Sequence, residues 1–247
     1  MDKFKYAFKN KANIGYIVAG YPSIEYSKEF INSLDNSAID VLEIGIPYSD
    51  PLADGPAIAQ AAFEACQSGV TTDSVFDMLS ECKTSKCLVF LVYYNMIFAY
   101  GEDKFLAKCK ECCISGLIVP DLPYEENKEL KSKCDKLDIA LIPLISVTSG
   151  HRAKKILKNA SGFVYMVAVQ GVTGGEQSSK DSLKRLCAHI RKYSDLPVAV
   201  GFGLKTNEDV KAAKSYADGA IIGTQIIKAS KQKSVSELNA FIAELFA

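Results

Sequence analysis

The sequence predicts an α/β protein, a (β/α)8 TIM barrel with extra helices, on three observations. Short apolar runs of strand length recur along the chain, and each is followed by a Lys- and Glu-rich stretch with helical spacing. Eight such units fit within 247 residues, the size of one closed barrel. The runs are almost continuously apolar, as strands of a parallel sheet covered on both faces must be. A doubly wound open sheet is the principal alternative, since it is built from the same alternation. No Pro/Ser-rich linker, low-complexity tract or long charge run divides the chain, so 1–247 reads as a single domain.

The apolar runs place strands at Ile14–Ala19, Val41–Ile46, Leu88–Tyr93, Gly116–Val119, Ile139–Leu144, Gly162–Val167, Val198–Gly201 and Ala220–Ile222. Helices are expected to follow from about Ser23, Pro56, Glu102, Tyr124, Ser149, Ser179, Thr206 and Thr224. Several of these starts carry a Ser or Thr whose side-chain oxygen can accept a free N–H of the first turn. A further helical stretch, Thr72–Cys82, lies between the second and third strands, and Ser234–Ala247 has the pattern of a closing helix.

Composition narrows the function. Lys+Arg and Asp+Glu each total 29, so no net field draws the chain to nucleic acid or to an anionic membrane. The segment Met1–Tyr6 lacks the apolar run of an export signal, and no stretch is long enough to span a bilayer. A cytoplasmic protein is expected, and its eight cysteines are expected to be free thiols. Cys109, Cys112 and Cys113 fall in a Lys/Glu-rich helical segment without a second Cys pair or a His cluster, which suits helix packing better than a metal site. His151 and His189, the only histidines, sit in helical stretches and support no His-based triad.

In such a barrel the working residues gather in the loops after the carboxyl ends of the strands. Three glycine-bearing loops fall there: Gly171-Val172-Thr173-Gly174-Gly175, Gly201-Phe202-Gly203 and Gly223-Thr224. Each alone reads as a tight turn. At the ends of the last three strands together they suggest a phosphate cradle, because glycine lets backbone N–H groups approach an anion closely. The second constellation is Val41–Pro56. Alternation with Val41 points Glu43 into the barrel, where an ionised carboxylate is costly unless paired or solvated. That residue reads either as a functional acid or as a strand-end Glu bound to backbone or Lys. Asp50 and Asp54 lie in a Pro/Gly-punctuated loop; turn chemistry accounts for Asp50, whereas the loop is long enough to return Asp54 over the barrel mouth.

The Leu42–Pro56 segment resembles the signature of the tryptophan synthase α-subunit family, and the resemblance extends along essentially the whole chain. Gly20-Tyr21-Pro22, Tyr93-Tyr94-Asn95, Val119-Pro120-Asp121-Leu122-Pro123 and Thr148-Ser149-Gly150 match it too. The resemblance implies retro-aldol cleavage of indole-3-glycerol phosphate to indole and glyceraldehyde-3-phosphate. It makes Glu43 the general acid/base and Asp54 the second catalytic carboxylate, with Tyr165 positioning Asp54 or the substrate. By the same resemblance Tyr16, Tyr93 and Phe202 form the slot for the indole ring, and Thr173, Gly174, Gly203, Gly223 and Thr224 hold the phosphate. No metal or organic cofactor is implied. A partner is: the β subunit that receives indole, in an αββα heterotetramer, with Pro47, Asp50 and Asn95 in the loops facing it. The chain departs from the family pattern at Ala168-Val169-Gln170, where Ser-Arg is frequent, at Met96, where Pro is common, and at Thr224, which keeps the hydroxyl of the frequent Ser. Another phosphate-binding barrel would share the glycine loops but would not need Leu42–Pro56, and a catalytically silent subunit would not need Glu43 and Asp54.

Overall fold

The computed structural model describes residues 3–167, 176–201 and 203–247. Among them the strands are β1 (Ala12–Val18), β2 (Val41–Gly45), β3 (Cys87–Leu91), β4 (Ile114–Ile118), β5 (Ala140–Leu141), β6 (Leu144–Ser146), β7 (Val164–Val167), β8 (Val198–Gly201) and β9 (Gly219–Ile222). All pairings are parallel, in the order β5-β4-β3-β2-β1-β9-β8-β7-β6. The two ends of this ladder, β5 and β6, are consecutive in sequence. The Ile142 N–H donates to the Leu117 carbonyl and the Tyr165 N–H to the Pro143 carbonyl, each at 2.9 Å, so the sheet closes into a barrel through 140–146. The fifth strand was expected to be continuous. It is split at Ile142-Pro143, because proline has no N–H to give to a ladder.

The described helices are α1 (Lys3–Ala7), α2 (Ile24–Ser33), α3 (Pro56–Gln67), α4 (Thr72–Ser80), α5 (Tyr94–Tyr100), α6 (Glu102–Glu111), α7 (Lys128–Lys136), α8 (Ala153–Leu157), α9 (Glu176–Ile190), α10 (Asn207–Lys214), α11 (Thr224–Ser230) and α12 (Val235–Phe246). Their starts follow local chemistry. The Ser23 hydroxyl accepts from the Tyr26 N–H, and reciprocal capping boxes open α4 (Thr71/Ser74), α10 (Thr206/Asp209) and α12 (Ser234/Glu237). Pro56 occupies the first turn of α3, where its missing N–H costs nothing.

Three starts shift from expectation, one of them only slightly: α9 is already helical at Glu176, ahead of Ser179. Residues 124–127 form turns before α7 begins at Lys128, and the expected start at Ser149 lies inside a 3-10 segment, Val147–Arg152. Gly150 leaves helical geometry there (φ 47°, ψ −131°), so the α-helix begins only at Ala153. Two helices were not expected. α5 fills what read as a loop, and α1 plugs the amino-terminal end of the barrel with Phe4, whose ring lies 6.0 Å from that of Phe163.

Strand alternation divides the apolar residues between two regions. Ile14, Val41, Cys87, Val89, Ile118, Phe163, Ala199 and Ile221 fill the barrel interior. Leu42, Ile44, Leu88, Phe90, Leu117 and Val200 face outward into the layer beneath the helices. Phe90 is fully buried there, its ring 5.7 Å from Phe76 of α4 and 6.1 Å from Phe105 of α6. All eight cysteines are free. No helix among the described residues is long and apolar enough to cross a membrane. Truncating Phe90 leaves a cavity that three elements cannot jointly close. Phe90→Ala is therefore expected to lower stability by roughly 3–5 kcal/mol, read from the urea unfolding midpoint at constant slope.

Candidate active site

β2 carries Val41, Glu43 and Gly45 on its inner face. In register, Glu43 stands between Tyr16 of β1 and Val89 of β3, one layer above Ile14, Val41 and Cys87. It is 1% exposed, and neither carboxyl oxygen has a hydrogen-bond partner among the described residues. A strand-end Glu tied to backbone or Lys is thus not what the fold builds. Burial pushes the Glu43 carboxyl from its ordinary 4.5 up to about 8, so it keeps its proton at neutral pH. An unpartnered buried acid is a destabilising feature that marks a functional group.

Asp54 arrives by the loop between β2 and α3, and one phenol brings it in. Tyr93, buried just beyond β3, accepts from the Ala53 N–H at 3.0 Å and hydrogen-bonds the Asp54 carboxyl. Burial raises Asp54, and the bond from Tyr93 opposes that rise. Tyr93 is held in turn: it immediately precedes α5, whose first N–H, that of Tyr94, donates to Asp121 at 2.8 Å. The Val119–Pro123 motif therefore serves the site through Asp121, which caps α5 from the neighbouring loop.

Glu43 and Asp54 share a cavity of about 690 Å³ at the carboxyl ends of the strands, of a size usual for small-molecule sites. Tyr16, Tyr165, Gly203, Gly223 and Thr224 line it with them. Tyr16 and Tyr165 are buried, and burial first, then the nearby carboxyls, holds both phenols well above 10; they remain neutral donors. Gly203 has φ +87°, a conformation that favours glycine. A larger cavity, about 1180 Å³, lies beside α7 and α8. Its charged side chains include the pairs Arg152–Glu125 and Lys131–Asp135, and it contains no unpaired buried acid, so the smaller cavity is the site.

Other expected residues are distributed differently. Tyr93 lies behind the cavity wall as the clasp on Asp54, and is not among the residues lining the slot. Thr173, Gly174 and Phe202 lie outside the described residues. Pro47 is buried within this chain, just before the half-buried Tyr48 and the exposed Ser49 and Asp50. Asp50 is exposed and accepts from the Ser49 hydroxyl at 2.5 Å; Asn95 is exposed on α5 and donates to the Tyr48 hydroxyl at 3.4 Å.

Sequence reading missed Leu91, Leu144, Ser146 and Lys205 in the lining. Leu91 continues the inward alternation of Val89, and Lys205 follows the Gly201–Gly203 loop, so both had a legible signal. Among the described residues no cluster of three His, Cys, Asp or Glu side chains could hold a metal ion.

Fold and cavity define a parallel barrel that brings two carboxyls of unlike environment together at the strand carboxyl ends. The chain belongs to the tryptophan synthase alpha chain family, whose model matches residues 4–245. A tryptophan synthase alpha chain from Campylobacter jejuni subsp. doylei is 46% identical over 247 residues, covering 100% of this chain and 99% of the relative. The solved tryptophan synthase subunit alpha from Campylobacter jejuni superposes with a TM-score of 0.94 at 45% identity over 98% of each chain. An aminoacrylate-bound tryptophan synthase from M. tuberculosis gives a TM-score of 0.89 at 27% identity, covering 99% of this chain and 98% of that one.

The Glu43 environment fixes a pH signature. In the unfolded chain the group titrates near 4.5, in the folded chain near 8. Below 4.5 both states hold the proton and burial carries no ionisation penalty. As pH rises toward 8 the unfolded chain releases its proton first, and folded-state stability falls; above 8 the loss is complete. Glu43→Gln, which mimics the protonated acid, is expected to raise the urea midpoint at pH 8.5 and to leave it nearly unchanged at pH 4.

Proposed function

We propose that the lyase reaction of this family, cleavage of indole-3-glycerol phosphate to indole and glyceraldehyde-3-phosphate, runs in this chain on Glu43 and Asp54, within one barrel formed by 1–247. The observation that carries the assignment is the contrast between two carboxyls in one cavity, one dry and unpartnered, the other half-buried and hydrogen-bonded. Pairs whose surroundings separate their proton affinities are how a site divides acid from base work.

An indole carbon leaves readily only after C3 has been protonated. Glu43, protonated at neutral pH, is the donor to C3. Its carboxylate then takes the proton of the glycerol hydroxyl next to the ring as the carbon–carbon bond breaks. The bonding pair returns to the ring as neutral indole, the hydroxyl becomes the aldehyde, and Glu43 is protonated again. Asp54 accepts the indole N–H and stabilises the positive charge that C3 protonation places on the ring. Tyr165 and the apolar lining, Leu91, Leu144 and Ile221 among it, receive the ring system. The turns at Gly203, Gly223 and Thr224, with Thr173 and Gly174, take the phosphate, and Lys205 adds a cation on that wall. Binding energy at the phosphate then orients the reacting carbon over Glu43. Proton transfer of this kind requires no metal or organic cofactor.

An α chain implies a β-subunit partner, and we assign this chain to a cytoplasmic αββα heterotetramer. Two large apolar side chains support a docking face beside the site. Leu52, on the Asp54 loop, is 80% exposed, and Phe98, on α5, is 69% exposed. Asp50 and Asn95 lie on the same two segments. The Tyr48 and Tyr93 rings, 5.3 Å apart, hold those segments together.

The test is indole release from indole-3-glycerol phosphate with the β subunit present. Glu43→Gln and Asp54→Asn are each expected to lower kcat by about 10²–10⁴-fold while substrate binding is kept. Wild-type turnover in Glu43→Gln would remove the assignment.

A further inference from the structure

Tyr16 is the register partner of Glu43 and shares its inward face. Its ring is wedged between two glycines. A Cβ at Gly223 would meet the Tyr16 Cβ and Cδ1 at 3.3 Å, and one at Gly45 would meet the Tyr16 hydroxyl at 2.2 Å. Gly45 lies two residues beyond Glu43 on the same face of β2, so the phenol oxygen occupies the place of the missing side chain, one pleat nearer the mouth, about 6.6 Å along the strand. A larger residue at 45 would exclude it. The hydroxyl is thus fixed one pleat above Glu43 on the inward face of β2, and both residues line the cavity. A glutamate has three side-chain torsions to cover this distance, and its oxygens have no partner among the described residues to hold them back.

The groups facing Tyr16 and Glu43 are Asp54, Tyr93 and Tyr165, with Lys205 on the wall of the same cavity. Tyr93 is engaged with Ala53 and Asp54, and Tyr165 sits on β7, across the barrel from β2 in the ladder, its ring against Gly201. Tyr16 is the phenol on the strand adjacent to Glu43. A packing role alone is met equally by phenylalanine; the hydroxyl on this face of the site is the feature that calls for a function.

We propose that Tyr16 is a positioning residue for Glu43: its hydroxyl donates to the carboxylate that forms when Glu43 has given its proton to the substrate. The inference rests on the acid/base reading of Glu43 given above. A donor to the ionised form makes Glu43 a stronger acid in its working position, without touching the substrate in the ground state. Removing it makes the proton harder to release. It also delays the ionisation that silences the acid at high pH.

The experiment is the pH profile of indole release by wild type, Tyr16→Phe and Glu43→Gln, with the β subunit present. Tyr16→Phe keeps the ring and removes one oxygen. It is expected to lower kcat about tenfold, to leave KM within about twofold, and to move the alkaline fall in kcat upward by about one pH unit. An alkaline limb in the wild-type position, whatever the change in KM, overturns the proposal and leaves Tyr16 as a wall of the ring slot. If Glu43→Gln turns over like wild type, the acid/base reading itself fails; an inactive Glu43→Gln with an unmoved limb in Tyr16→Phe sinks this inference alone.

Discussion

The Glu43 carboxyl stands above a layer of Ile14, Val41 and Cys87 inside the barrel, and its oxygens have no hydrogen-bond partner among the described residues. That placement depends on alternation. Every strand is covered on both faces, so a residue turned inward at mid-strand is removed from water whatever its chemistry. Closure of the ladder through 140–146 joins its two ends around the interior. α1 seals the opposite end with Phe4, while Phe8 and Phe163 pack with their rings 5.3 Å apart. The acid owes its proton at neutral pH to these apolar contacts, most of them remote from the substrate cavity.

Asp54 depends on a different physical device, a relay of hydrogen bonds across three successive strand–helix connections. Asp121, after β4, caps α5; the residue before α5, Tyr93, holds Ala53 and Asp54, after β2. The same relay includes the exposed apolar groups Leu52 and Phe98, which lie on the two segments it joins. A surface pressing on either segment therefore acts on the Asp54 carboxyl through one phenol. Glu43, set in a strand, is insulated from such pressure. The two carboxyls differ in mechanical setting as well as in solvation, one carried by a strand and the other by a loop.

Sequence periodicity made the barrel legible because its strands are uniformly apolar and its helices carry ordinary caps. Glu43 was legible because one charged residue interrupts an inward-facing row. Features set by single backbone groups were not. The gap at Pro143 is a missing N–H inside an apolar run, and hydropathy does not register it. α5 lacks a capping side chain of its own, since its cap comes from Asp121 of another loop, so nothing local announced it. α1 is too short for its period to be read, and its role emerges only when the barrel exists to be plugged. The resemblance implies a place for Tyr93 in the ring slot; its clasp on Asp54 is a tertiary fact, as is the burial of Pro47.

The tyrosines around the acid raise a packing problem that the neighbouring strands solve. A barrel interior has room for a fixed volume, and two phenols laid across it require space from the residues opposite. Gly45 gives that space to Tyr16 and Gly201 gives it to Tyr165, where an added Cβ would come within 2.4 Å of the ring and the hydroxyl. Neither glycine is a turn residue; each closes a strand in place of the branched apolar side chain that such positions usually hold. The exchange of aliphatic bulk for phenol brings neutral donors into a dry interior without adding charge, since burial keeps both hydroxyls protonated. A lysine at 16 would put a cation beside Glu43 and favour its ionised form. A leucine at 16 would remove the donor on the strand adjacent to Glu43. Tyr16 beside Gly45 leaves burial to keep the acid neutral at rest and supplies a donor for its anion, and both are needed if one carboxyl is to give a proton and take another in the same turnover.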